Sequence, residues 1–254
     1  MRELLHAEWT KLRTLPGTAG LLLTIVVLTV AGSAAAAALV SCGPAACGYD
    51  PARIGFFGVQ VGQAAVVVMA VLAVGGEYGT GMIRTTFTAM PRRAAVLAAK
   101  AILLAALTLA AGSVAVLGSA LAARGILLGN GFPAGSLDLA DGPVLRAAVG
   151  SVLYLTVIAL LSLGVAIAVR DSAAAAGSVL GLLFLFPALI LMIPDADWQL
   201  LLWRLSPMNA GLTVQATTGL AALPLDPWAG LGVAAAWAAA ALLGGGLLLR
   251  ARDA

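Results

Sequence analysis

Apolar residues come along this chain in long uninterrupted runs, and the polar ones are crowded into the gaps between them. The runs fall at Thr18–Val40, Ile54–Gly76, Ala101–Ala123, Ala147–Val169, Ser172–Ile193 and Pro227–Leu249. At 1.5 Å per residue each makes a helix of about 33–35 Å, enough to cross the roughly 30 Å hydrocarbon layer with modest tilt. Lipid offers the backbone no hydrogen-bond partner, so a spanning segment must satisfy itself as a helix. The alternation that a transmembrane β-barrel requires is missing. The pattern therefore predicts an all-α integral membrane protein with six transmembrane helices, a single domain over residues 1–254.

Composition agrees. With 62% hydrophobic and only 10% charged residues, the chain carries more apolar surface than a soluble core of 254 residues could hide. The first run is too long for a signal peptide and lacks a convincing cleavage site. Runs rich in alanine and glycine, such as "AALTLAAGSVAVLGSALAA", let helix backbones approach closely, although a GC-rich genome produces the same richness.

Charge sets the orientation. With the N-terminus in the cytoplasm, the inner segments hold ten basic residues: Arg2, Lys11, Arg13, Arg84, Arg92, Arg93, Lys100, Arg170, Arg250 and Arg252. The outer segments hold four, Arg53, Arg124, Arg146 and Arg204. The positive-inside rule then places both termini in the cytoplasm. The net charge of +3 is accounted for by topology, with no nucleic acid required.

The polar segments differ in character. Residues 1–16, "MRELLHAEWTKLRTLP", are too charged to cross and read as an amphipathic helix on the membrane surface, with Trp9 at the interface and Lys11 towards anionic lipid. Glu8 falls inside the apolar arc of that helix, where it either pairs with Lys11 or meets a polar group of the bundle or of a partner. In the second run Gln60 and Gln63 share a face, and either line a pathway or bond helix to helix. Cys42 and Cys47, separated by "GPAA" in the first outer loop, either form a small disulfide or remain thiols. No His or third Cys lies nearby to suggest a metal site. Residues 194–226 are too broken to cross and too apolar for an open loop, which predicts short broken helices dipping partly into the outer leaflet.

The densest polarity lies in "GEYGTGMIRTTFTAMPRR", Gly76 to Arg93. As a helix it would carry Ile83, Phe87 and Met90 at i, i+4, i+7, a stripe suited to a groove in a partner or to lipid, and Pro91 would end it. Together with "AEWTKLRT" near the N-terminus, the stretch "GEYGTGMIRTTFTAMPRRAAVLAAK" resembles the permease subunits of type-2 ABC transporters, in the actinobacterial style. That family's motif reads E-Y-x-x-G, a threonine-rich turn, P-R-R, and A-K entering the third span. It falls here on Glu77, Tyr78, Gly81, Thr85, Thr86, Pro91, Arg92, Arg93, Ala99 and Lys100.

The resemblance implies that residues 77–93 are a cytoplasmic coupling helix, touching an ATPase subunit through Glu77, Tyr78, Gly81, Ile83, Arg84, Phe87, Met90, Pro91, Arg92 and Arg93. The surface helix, with Glu8, Trp9 and Lys11, would join the same junction. It further implies a permease in the cytoplasmic membrane, working with an ABC ATPase dimer and a second permease copy or paralogue to export a hydrophobic or amphipathic substrate. ATP and Mg would be held by the partner. The chain has no G-x-x-x-x-G-K-[ST] loop of its own.

Other functions fit less well. An integral membrane enzyme lacks a constellation: the single histidine, His6, lies on the surface helix, and no span carries paired carboxylates, so no catalytic residue is assigned. An ion-coupled transporter or channel would ordinarily keep ionisable groups within the bilayer, and these runs contain none. A non-transport membrane scaffold is the remaining alternative.

Overall fold

A computed structural model of the chain describes residues 6, 8–11, 16–42, 48–79 and 93–251, and these contain no strand. Six helices are long and apolar enough to span a membrane. The first is α1 (Pro16–Ala38). The second is built from α2 (Pro51–Gly55) and α3 (Gly58–Gly79). The third and fourth are α4 (Arg93–Gly129) and α5 (Gly142–Val169). The fifth combines α6 (Ser172–Leu180), a π-helical turn at Gly181–Leu185 and α7 (Phe186–Ile190). After α8 (Ala196–Leu205) and α9 (Pro207–Gly211), the sixth span is α10 (Pro227–Ala251).

The second and fourth spans form the centre. In their most apolar stretches 61% of residues are buried, against 22–28% in the other four. Helix α5 packs on α3, α4, α6 and α10, while α1 closes against α3 and α4. The outward faces of the peripheral spans keep large apolar side chains exposed, among them Leu23, Val114, Leu121, Leu185 and Leu243, as a lipid solvent requires.

Glycine decides how closely the helices meet at two crossings. A Cβ on Gly58 would overlap the Thr29 carbonyl oxygen and stand 2.7 Å from the Ser33 amide nitrogen. The Gly58 N–H instead donates to Ser33 Oγ at 3.0 Å. One turn on, Gly62 leaves room for the Thr29 hydroxyl. The two glycines are a G-x-x-x-G pair, the spacing that lets two backbones touch. At the second crossing, a Cβ on Gly245 would lie 2.6 Å from the Gly164 carbonyl oxygen. At these positions the small residues serve packing.

The fifth span carries its own accommodation. Pro187 has no N–H to offer the preceding turn, and the helix widens to a π turn just before it, with the Phe186 N–H reaching the Gly181 carbonyl.

The described N-terminal residues 8–11 and the last turns of α10 lie at one end of the bundle. Near the C-terminus a Cβ on Gly246 would be 3.3 Å from Leu97, and Glu8 reaches Lys100. At the opposite, loop-bearing end the connections are stitched together by polar groups. The Asn130 side chain donates to the carbonyls of Ala37 and Val40, both at 3.0 Å, closing the end of α1. Asp50 caps α2 and also accepts from the amide and hydroxyl of Thr217, each at 2.6 Å, and from the Thr218 amide at 3.0 Å. Burial pushes the Asp50 carboxyl upward, but these donors outweigh it and hold it below its ordinary value. Cys42 is disulfide-bonded, and the chain's other cysteine, Cys47, lies outside the described residues.

Several boundaries differ from the sequence reading. Helix α4 is 37 residues, about 55 Å, so it runs beyond the bilayer thickness and carries Lys100 and Arg124 on its own ends. A charge ends an apolar run without ending a helix. The excursion over 194–226 also goes deeper than a partial dip. Helix α8 leaves Trp198, Leu201 and Leu205 exposed, but α9 turns inward and buries Pro207, Met208, Ala210 and Gly211. Met208 contacts Gln63, midway along the second span, and Gln215 donates to Ser151 Oγ at 3.0 Å and to the Phe56 carbonyl at 3.3 Å. Arg146 fixes the outer end of this loop by donating to the Ala216 carbonyl at 2.5 Å.

Replacing Gly58 with alanine should force the first two spans apart and cost about 1–3 kcal/mol as overpacking. Gly177→Ala, with open space around it, should be neutral or slightly stabilising. Thermal unfolding in detergent compares the two variants, and equal midpoints would remove the close-packing argument.

Candidate functional site

Residues 8–11 at the termini end are helical, with the Thr10 hydroxyl donating back to the His6 carbonyl at 2.8 Å. Helical spacing of three brings Glu8 and Lys11 to one side, where Lys11 Nζ lies 2.9 Å from Glu8 Oε1. The second carboxylate oxygen reaches a residue far along the chain: Lys100 Nζ is 2.7 Å from Glu8 Oε2. Both alternatives for Glu8 therefore hold at once. Glu8 and Lys100 are buried, at 4% and 6% exposure, whereas Trp9 on the other face is 43% exposed.

The electrostatics follow from that burial. Removal from water pushes the Glu8 carboxyl up, but Lys100 first and Lys11 second outweigh it and hold the group below its ordinary value. The charges of these three groups sum to +1. A buried ion pair of this kind contributes little net stability against an apolar replacement, but it is costly to break on one side only, and it fixes where its two elements sit. Here it fixes the N-terminal helix against the first turns of the third span.

That location bears on the segment singled out in the sequence. Glu77 and Tyr78 belong to the last turn of α3, and Arg93 is the first residue of α4. Gly81, Ile83, Arg84, Phe87, Met90, Pro91 and Arg92 lie outside the described residues. The chain between Gly79 and Arg93 thus leaves and re-enters the bundle at the termini end, and its return leg begins two turns before Lys100. The short "RDS" turn between the fourth and fifth spans adjoins the departing leg, with a Cβ on Gly75 standing 2.7 Å from Ser172 Cβ. Its Arg170 takes a left-handed conformation (φ 63°) to close α5.

Gln60 and Gln63 separate. Gln63 is fully buried, accepting from the Tyr154 hydroxyl at 2.5 Å and donating towards Met208 Sδ at 3.2 Å, so it joins the second span to the fourth and to the inward loop. Gln60 is partly exposed and makes no side-chain hydrogen bond among the described residues. No group of three or more potential metal ligands occurs among the described residues.

Sequence reasoning missed Lys100, Tyr154 and Met208 as partners. A lone tyrosine in an apolar run was a usable signal, because its buried hydroxyl needs a partner and Gln63 is among the few that the spans offer. No protein-family model matches this chain, and no curated protein sequence matches it significantly.

Glu8→Ala would leave the buried Lys100 without its Glu8 carboxylate and should destabilise the protein by about 3–5 kcal/mol, while the double change Glu8→Met, Lys100→Met should recover most of that loss. Because the folded Glu8 lies below its ordinary value, its contribution is fully present above the ordinary carboxylate range, near pH 4.5, and is lost as pH falls through the folded value. Unfolding midpoints across that range should therefore drop on acidification in the wild type and change less in the Met/Met variant.

Proposed function

We propose that this chain is the membrane-spanning permease subunit of an ATP-driven exporter in the cytoplasmic membrane, energised by a separate ATPase dimer and paired with a second permease copy or paralogue. The observation that carries the reading is the buried Glu8–Lys100 pair. It ties the N-terminal helix to the base of the third span, directly beyond the polar segment at residues 80–92. A push delivered to that segment would be passed to the third span and the N-terminal helix as one body.

Two further features support it. The six spans carry no Asp or Glu, which favours an energy source outside the bilayer. The basic residues gather at the termini end, which the positive-inside rule assigns to the cytoplasm, with residues 1–16 lying on the inner membrane surface. The resemblance of "GEYGTGMIRTTFTAMPRR" to the permease motif supplies the partner class: the segment is a coupling helix, its Ile83, Phe87 and Met90 stripe seated in the ATPase and Arg92 and Arg93 at the rim. ATP and Mg are held by that partner. Closure of the two ATPases tilts the two bundles and opens a path for an apolar or amphipathic substrate.

The chain should co-purify with an ATPase subunit whose hydrolysis depends on it. Phe87→Ala, or reversal of charge at Arg92 and Arg93, should leave insertion intact and separate ATP hydrolysis from transport by at least about tenfold, the effect of losing one well-packed anchor. Full coupling in these variants would assign the segment to lipid instead.

A further inference from the structure

At the loop-bearing end, the first and second spans diverge from their close crossing at Gly32 and Gly58 and leave a groove of about 820 Å³ between them. One wall is Gly32, Ala35, Ala36 and Leu39, spaced i, i+3, i+4, i+7 along a single face of the first span and its exit. The other is Ile54, Phe57 and Val61 on the second span. From Gly32 to Val40 the trough runs about 12 Å along the helix axis, close to the roughly 15 Å depth of one leaflet's hydrocarbon. Its volume lies within the usual range of small-molecule sites.

The mouth is polar and its charges are unequally committed. Asp50 also lines it, but its two oxygens already accept from Ala52, Thr217 and Thr218. Arg53 lines it too, exposed, with a guanidinium that makes no hydrogen bond or ion pair among the described residues. Tyr49, likewise exposed, stands beside it, a residue type suited to the headgroup level. An apolar trough one leaflet deep, topped by an uncommitted arginine, matches one class of molecule in both shape and charge.

We propose that this groove is a binding site for a single phospholipid of the loop-side leaflet, one acyl chain lying along the Gly32–Leu39 face and the phosphate held by Arg53. Arginine's planar fork suits a phosphate, and the contact is charge-assisted. The inference does not depend on the transport reading, since it requires only that the loop end face a membrane surface.

The test is native mass spectrometry of the full chain in detergent, titrated with dioleoylphosphatidylglycerol and, separately, with dioleoylglycerol, which has the chains without the phosphate. One phosphatidylglycerol should be retained per chain. Arg53→Gln and the groove-filling Ala35→Phe should each weaken retention by about tenfold, Arg53→Lys should keep most of it, and Arg204→Gln, an exposed arginine outside the groove, should leave it unchanged. The comparison between the two lipids uses the wild type alone, so it stands even if a variant folds poorly. Equal retention of dioleoylglycerol, or equal binding by Arg53→Gln, would overturn the site. So would a lipid-free dimer that Ala35→Phe dissociates, which would assign the groove to a second copy of the chain.

Discussion

Within a bilayer a polar group has no water to fall back on, so a specific partner inside the protein is worth more there than at a solvated surface. That constraint organises this structure. The second and fourth spans meet around Gln63 and Tyr154, the inward loop is held by Gln215 on Ser151 and the Phe56 carbonyl, and the first span is closed by Asn130. At the termini end it is Glu8, a carboxylate on an otherwise apolar face, that finds Lys100. Apolar packing makes the bundle compact, but most side chains in lipid are interchangeable. The few polar contacts select one arrangement among many that would bury similar area.

The two ends use this constraint differently. The loop end is tied several times over: Asp50 to Thr217, Arg146 to Ala216, Asn130 to the end of α1, and a disulfide at Cys42. At the termini end, the described ion pairs join Glu8 to Lys11 and Lys100.

Much of the architecture was legible because the spans announce themselves by length and apolarity. The six runs became six helices, and the broken stretch before the last became broken helices. What could not be read was pairing over distance. Glu8 and Lys100 are 92 residues apart and Gln63 and Tyr154 are 91 apart, and no local periodicity encodes either contact. The depth of the inward loop was equally hidden, since Met208 and Ala210 look alike whether they rest at an interface or in the centre. The Gly58-x-x-x-Gly62 spacing was present in the sequence, but alanine and glycine are so common here that only the backbone approach distinguishes it from its neighbours.

The central claim is that Glu8 and Lys100 hold the N-terminal helix and the base of the third span as one body. The direct measurement is the distance between spin labels on Trp9→Cys and Ala94→Cys in the reconstituted protein, with the native Cys42 protected by its disulfide. A single narrow distance that broadens when Lys100→Met is added is the predicted result. An equally narrow distance in both proteins would show that the helix is held by something else.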